Sequence, residues 1–372
     1  MQLHKLHLVN FRNYTDQRLT LSPAVNVFCG ENGQGKTNAL EAILMLAVGK
    51  SHRTSRDKDV IAWNCDNAAI EGHVESLHAS RTLRLELTNS GRKAYVNRVQ
   101  QSKMTDFIGH FQVVLFAPED LQLVKGSPKD RRRFIDMELG QTQPVYLHHL
   151  SHYQRALLQR NRLLKTGTSD PAMLSAFDEQ LAQHGAHIVK RRFKFLEELK
   201  RFASAVYRDI SDGREEFDFE YSSSIANLAN ADIDDVQRIA ETFERSLYDR
   251  QSQDLRMGYT TVGPHRDDLD LYLNGQSVQS FASQGQQRTI ALSLRLAEID
   301  FIYHEVGEYP VLLLDDVLSE LDDRRQRNLV LSMSRKVQTV ITTTSLFHLE
   351  EELAARAQLF HVSSGIISDD NV

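Results

Sequence analysis

The spacing of apolar residues changes character several times along the chain. Near the start, Leu6 and Leu8 alternate with polar neighbours, which predicts a strand over Leu3–Val9 with those two side chains inward. Asn10–Tyr14 reads as a turn and Arg18–Leu21 as a returning strand. Val25, Val27 and Phe28 form a short buried strand, predicted to complete one small β-layer with the first two. Leu40, Ile43, Leu44, Ala47 and Val48 then recur at helical spacing. Gly49–Val60, with Lys50, His52, Arg53, Arg56 and Lys58, has the composition of a loop. A period of two returns in Ala69–Val74, Thr82–Leu87 and Ala94–Val99, with Asn89-Ser90-Gly91 as a hairpin turn. Val113–Phe116 is a wholly apolar strand, stopped by Pro118.

From Glu119 to Arg256 the period is helical. Pro128 opens one helix, with Arg131, Arg132 and Arg133 near its start. Tyr146–Lys165, Ala172–Ile210 and Asp232–Gln253 read as longer helices, broken at Thr166–Pro171 and at the loop Ser222–Ala231. Such helices with short polar breaks predict an antiparallel helical insert. Beyond Arg256 strands are predicted at Tyr259–Val262 and Leu269–Leu273, with a turn at Asn274-Gly275. A Ser283–Ile302 helix follows, then the apolar strands Val311–Leu314 and Val340-Ile341, and last strands near Leu359–Val362 and Ile366-Ile367. The pattern predicts an α/β fold with mixed sheets and a helical inserted domain. Its expected parts are 1–118, the insert 119–256, and 257–372.

At 372 residues, with 41% hydrophobic and 25% charged residues, the composition is that of an ordinary soluble globular protein. No apolar run reaches the length of a membrane span, and Met1–Phe11 lacks the continuous apolar core of a signal peptide. Two cysteines, Cys29 and Cys65, fit a reduced cytoplasmic protein. The net charge of -6 is unevenly spread. Leu121–Ile210 carries 16 Lys and Arg against 9 Asp and Glu, a +7 stretch that leaves -13 elsewhere. That asymmetry fits either a polyanion surface or a solvated helical region with ordinary basic faces.

The chemistry concentrates at Gly30-Glu31-Asn32-Gly33-Gln34-Gly35-Lys36-Thr37, which fits the phosphate-binding loop G-x-x-x-x-G-K-[ST]. Its glycines let successive N–H groups point at phosphate oxygens. Lys36 is expected on the β- and γ-phosphates of ATP and Thr37 on Mg²⁺. The buried strand before it and the helix after it are the context this motif requires. A second motif is Val311-Leu312-Leu313-Leu314-Asp315-Asp316, whose carboxylates emerge at a strand's C-terminal end, where ligands bind in open α/β sheets. Asp315 is expected to hold Mg²⁺, and Asp316 to orient an attacking water. Arg12, close in sequence to the first strands, is either a nucleotide contact or an exposed turn arginine. Ser283-Gln284-Gly285-Gln286-Gln287 precedes a strong helix, with Ser283 as N-cap and Gly285 open to close approach. It reads either as an ordinary cap or as a second anion site that completes the nucleotide pocket of a second copy.

Four stretches together resemble the SMC-related class of ABC-type ATPases, and within it the RecF family. They are Asn10-Phe11-Arg12-Asn13-Tyr14 with Gly30–Thr37 and Asn38-Ala39-Leu40-Glu41-Ala42; Ser51-His52-Arg53-Thr54; Phe116–Leu121 with Pro128–Asp136; and Ser283–Arg288 through Leu321-Asp322. The resemblance implies an ABC-type P-loop ATPase head. It makes Ser283, Gly285 and Gln286 the signature motif, touching ATP on a facing protomer, and Ser319-Glu320-Leu321-Asp322 the D-loop at a dimer interface. It implies an ATP-dependent homodimer and binding to single-stranded, gapped or junction DNA. It further implies recombinational repair and replication restart in the DNA-damage (SOS) response, partnership with RecR and RecO, and a weak DNA-stimulated ATPase activity. Three positions depart from the ABC pattern. Asp316 stands where glutamate is usual, which implies slow hydrolysis; Thr342-Thr343-Thr344 occupies the usual switch histidine; and no Q-loop glutamine is identifiable near Phe116–Glu119. The insert is far too short for the coiled-coil arms of true SMC proteins and lacks sustained heptads. The rival readings are the nucleotide-binding subunit of an ABC transporter, for which the basic insert is unusual, and a P-loop kinase, which has no use for Ser283–Gln287.

Overall fold

Helix α1 (Lys36–Val48) has every residue buried except Thr37 and Asn38. A helix apolar on nearly all sides must be covered on more than one face. In the computed structural model, which describes residues 1–166, 171–228, 233–316, 336–345 and 357–369, two sheets cover it. One is antiparallel, in the order β2-β1-β4-β5-β6-β7. Its strands are β1 (Gln2–Phe11), β2 (Tyr14–Thr20), β4 (Asn67–Glu75), β5 (Ser80–Thr88), β6 (Gly91–Val96) and β7 (Val99–Gln100). Leu3, Leu6, Leu8, Ile70, Leu83, Leu85 and Leu87 form its inward face. Gly72 lets α1 come close, since a Cβ there would stand 2.7 Å from Leu46 Cδ1.

The second sheet has the order β15-β14-β3-β13-β12-β8. It comprises β3 (Val25–Cys29), β8 (Val113–Phe116), β12 (Val311–Asp315), β13 (Thr339–Thr343), β14 (Ala357–Ser363) and β15 (Ile366–Asp369). All its pairs are parallel except the terminal β14–β15 hairpin. Every residue of β12 and of β13 is buried, as in a sheet covered on both faces. Each fully buried Leu, Ile or Val contributes about 1.5–3 kcal/mol by leaving water. Gln338, 2% exposed, bridges the two sheets: its Oε1 accepts from Leu3 N (2.6 Å) and its Nε2 donates to Leu3 O (2.9 Å). The expected single layer joining Val25–Cys29 to the first two strands is therefore corrected. Those strands lie in the antiparallel sheet, whereas β3 lies between β13 and β14.

These two sheets belong to one compact unit, Met1–Asp120 with Arg295–Val372; Leu121–Leu294 form another. The second unit contains α2 (Leu121–Lys125), α3 (Pro128–Thr142), α4 (Pro144–Thr166), α5 (Pro171–Ile210) and α6 (Val236–Met257). It also holds a three-stranded sheet of β9 (Phe217–Ser222), β10 (Asp268–Leu273) and β11 (Gln276–Ser277), the short α7 (Val278–Phe281), and the start of α8 (Gln284–Val306). Ser127 and Asp130 form a capping box ahead of Pro128.

The far boundary expected at Arg256 falls at Leu294 instead. Residues 257–294 stay with the helices because β10 pairs along its whole length with β9, and Arg131 of α3 donates two hydrogen bonds to Asp268 (2.7 and 2.9 Å). Tyr259–Val262 is not a strand; Thr260 N donates to Asn161 Oδ1 and Thr260 O accepts from Arg266. Fully buried Arg160 ties three helices together. It donates to Asp178 (2.5 Å), Asp254 (2.6 Å) and Thr260 (2.9 Å). Removing one member leaves an uncompensated buried charge. Asp254→Ala should therefore destabilise this unit by about 3 kcal/mol or more, read by chemical denaturation followed through helical circular dichroism.

Candidate nucleotide-binding site

Strand β3 ends at Cys29, and the chain turns through Gly30–Gly35 into α1. Gly35 has φ 124°, a conformation side chains rarely adopt, and a Cβ there would stand 2.5 Å from Asn13 Nδ2. That space matters because the turn before β2 braces the loop. Asn13 Nδ2 donates to Gln34 O (2.7 Å) and Tyr14 OH to Gly35 O (2.9 Å). From the other side Gly365 N donates to Gln34 O (3.1 Å) and Ser364 N to Gln34 Oε1 (2.7 Å). Glu31, Asn32 and Gly33 stand exposed at the tip. Lys36 is buried, and its ammonium donates to Gly30 O (2.6 Å) and Glu31 O (2.8 Å). Burial lowers the Lys36 pKa, against the opposing pull of Asp316, Cys29 and Asp315.

Asp315, the last residue of β12, meets this loop although it lies 278 residues from Thr37 along the chain. Its Oδ1 accepts from Thr37 Oγ1 (2.9 Å) and from Thr342 Oγ1 (2.7 Å). The parallel register sets Thr342 of β13 directly beside Asp315. Burial pushes the Asp315 pKa up, although both hydroxyls favour the carboxylate. Asp316 turns away from the strand with φ 53°, its N–H held by Thr342 Oγ1 (3.0 Å). A buried carboxylate beside a threonine hydroxyl is a hard-oxygen pair of the kind magnesium takes, and a divalent ion would offset the burial that disfavours its charge. Thr37 and Asp315 are the residues that would hold such an ion.

Arg12 does something other than stand in solvent. Its Nε and Nη2 donate to Glu41 (2.8 and 2.7 Å) and its Nη1 to Asp59 O (2.7 Å). Ser51 Oγ also donates to Glu41, and Arg53 lies 3.8 Å from it. Burial works against the Glu41 charge, but Arg12, Ser51 and Arg53 outweigh it and hold its carboxyl below the usual range. Arg53 Nη1 in turn donates to Asn38 Oδ1 (2.9 Å), and Asn38 Nδ2 to Asn13 Oδ1 (2.8 Å). The turn, the helix and the basic loop so converge on one buried carboxylate behind the phosphate loop.

Ser283, Gly285 and Gln286 lie in the other unit, at the start of α8. Ser283 and Gly285 are exposed, and a Cβ on Gly285 would meet nothing. Ser283 Oγ accepts from Gln286 N (3.3 Å) and Ser283 N donates to Gln286 Oε1 (2.7 Å), a capping box; Gln286 Nε2 donates to Glu215 (2.6 Å). The cap reading is therefore realised, on a face open to an incoming group. The D-loop assignment Ser319–Asp322 lies outside the described residues. Sequence reasoning gave no site role to Asn13, Tyr14 or Glu41 and no contact to Thr342. A polar residue inside an apolar helix, as Glu41 is, was the available signal.

The family model for the RecF/RecN/SMC N terminal domain matches residues 2–368. A protein of Bacillus cytotoxicus called DNA replication and repair protein RecF is 48% identical, covering 99% of this chain and 98% of its own. One of Listeria monocytogenes with the same name is 49% identical, covering 99% of each. A solved structure of the recombination mediator protein RecF-ATPrS in the RecFOR pathway matches with TM-score 0.92 at 33% identity, over 99% of this chain and 98% of that one. The RecF-ATP structure gives 0.90, also at 33%, over 99% of each. An SMC head bound to the C-terminal winged-helix domain of ScpA, at 17% identity and TM-score 0.55, covering 99% and 97%, shares the fold.

The Glu41 cluster makes a prediction of its own. Arg12 keeps a fifth of its side chain in water while Glu41 has none. Glu41→Gln should cost about 3 kcal/mol, the lower end for buried pairs. A carboxyl held low in the fold adds stability above the unfolded carboxylate pKa and loses it as pH falls through the folded pKa. Denaturant unfolding across the acid range should show a shallower decline in the variant than in the parent.

Proposed function

The chain belongs to the RecF/RecN/SMC N-terminal domain family, and from that premise we propose that it is an ATP-dependent DNA-binding protein of recombinational repair and replication restart. The observation that carries the reading is the hydrogen bond from Thr37 to Asp315, 278 residues apart, which joins the phosphate loop to a buried carboxylate. The names and nucleotides of the full-length relatives support it, and they do not favour the transporter subunit.

ATP is the substrate. The loop N–H groups and the Lys36 ammonium bind its phosphates, Lys36 with the proton that its two carbonyl contacts leave over. Mg²⁺ held by Thr37 and Asp315 would neutralise phosphate charge. Asp316 orients a water and takes its proton as the oxygen attacks the γ-phosphorus; the bond to the bridging oxygen breaks, its electron pair leaving with ADP, and phosphate is released. Aspartate is one methylene shorter than glutamate, so hydrolysis is slow. Ser283 and Gly285 of a second copy close over the γ-phosphate, so each chain supplies half of two pockets, a two-fold arrangement that closes as a dimer. The dimer clamps single-stranded, gapped or junction DNA through Lys and Arg on phosphates, with salt-dependent and largely sequence-independent affinity. DNA stimulates the ATPase, RecR and RecO are the partners in the cytoplasm, and the context is the SOS response to DNA damage. No helix among the described residues is long and apolar enough to cross a membrane.

Three variants test this. Lys36→Arg should weaken nucleotide binding. Asp316→Asn should trap an ATP-loaded dimer in sedimentation; a monomer at saturating ATP overturns the clamp. Ser283→Arg should bind ATP as the parent does yet stay monomeric.

A further inference from the structure

The second unit carries five histidines on the seam between α4 and α5. His148, His149 and His152 lie on α4, and His184 and His187 on α5. Arg160 meets Asp178 and His149 meets His184, so the two helices run antiparallel and their histidines share one level. His149 and His187 stack with centroids 3.9 Å apart, and His152 and His184 at 4.9 Å. His148 lies 4.5 Å from His152. The Nδ1 atoms of His149 and His184 are 3.1 Å apart.

We propose that this cluster binds one divalent transition-metal ion of the zinc class, with His149 and His184 as two ligands and His152 or His187 completing the set after side-chain rotation. Two imidazole nitrogens on a tetrahedral ion with bonds of about 2.0–2.1 Å stand roughly 3.3 Å apart, close to the observed pair. Spacings of three and four residues put ligands on one helix face, and two such faces meet here. The donors on these two faces are imidazoles, which suit zinc, copper and nickel; magnesium and calcium take oxygen. Burial, with the neighbouring imidazoles, holds His149 down to about 4, and burial lowers His184 and His187 too, the direction that favours a neutral, ligating imidazole. A bound ion would staple α4 to α5.

The test is titration of Zn²⁺, and of Co²⁺ as a visible-absorbing probe, into the full chain with excess Mg²⁺ present. One equivalent should bind and raise the melting temperature. His149→Gln and His184→Gln should each lower affinity roughly tenfold or more, at least the loss seen on removing an outer-shell partner. Unchanged affinity in the double variant, or no binding by the parent, overturns the proposal. X-ray absorption on the zinc-loaded parent reads the ligands without any variant: three or more imidazoles are expected, and two or fewer refute the site.

Discussion

One carboxylate oxygen, Asp315 Oδ1, takes hydrogen bonds from two threonines that lie on different elements. Thr37 sits on the first turn of α1, and Thr342 on β13. For those groups to meet, β3, β13 and β12 must run parallel and end together. Parallel pairing does this by aligning C-terminal ends, and the sheet order puts β3 next to β13 and β13 next to β12. The remaining architecture follows from that alignment. The strands must be covered on both faces, so α1 is apolar nearly all round and a second sheet closes over it.

Glu41 is the exception inside that helix. An ionised carboxylate with no exposure survives only if its charge is matched and its oxygens are satisfied. Arg12, Ser51 and Arg53 meet both needs. Their role is positional: they fix the turn at Asn13 and Tyr14, and those two side chains hold the carbonyls of Gln34 and Gly35. The shape of the phosphate loop is thereby set by residues that the motif does not contain.

Much of this was legible before any coordinates. Apolar runs marked β3, β8 and β12, the Asn89-Ser90-Gly91 turn marked a hairpin, and Pro128 marked a helix start, because each signal is local. What local signals cannot carry is the identity of a strand's neighbours. Val25–Cys29 looks the same whichever sheet it joins, and here it joins strands from the far end of the chain. The β character of Leu269–Leu273 belongs to either unit, and its pairing with β9 and the bonds from Arg131 to Asp268 assign it. Tyr259–Val262 has strand-like residues, yet its backbone is bonded to side chains. The motif residues of the site were readable because phosphate and cation chemistry demand particular groups. The role of Glu41 and the bond from Thr342 to Asp315 were not, because each acts through a contact with residues elsewhere in the sequence.

The interleaving of the two units bears on how the chain is made. Strand β3 leaves the ribosome early, but Thr339, where its first sheet neighbour begins, follows Cys29 by 310 positions. At roughly 5–20 residues per second, that is about 15–60 s during which an apolar strand and helix await their cover. The unit Leu121–Leu294, by contrast, finds the strand pairing of its described residues within its own span and is translated to completion first. The face of α1 and β3 that the parallel sheet covers is thus the last to be buried, and slow codons placed after residue 294 would prolong its exposure.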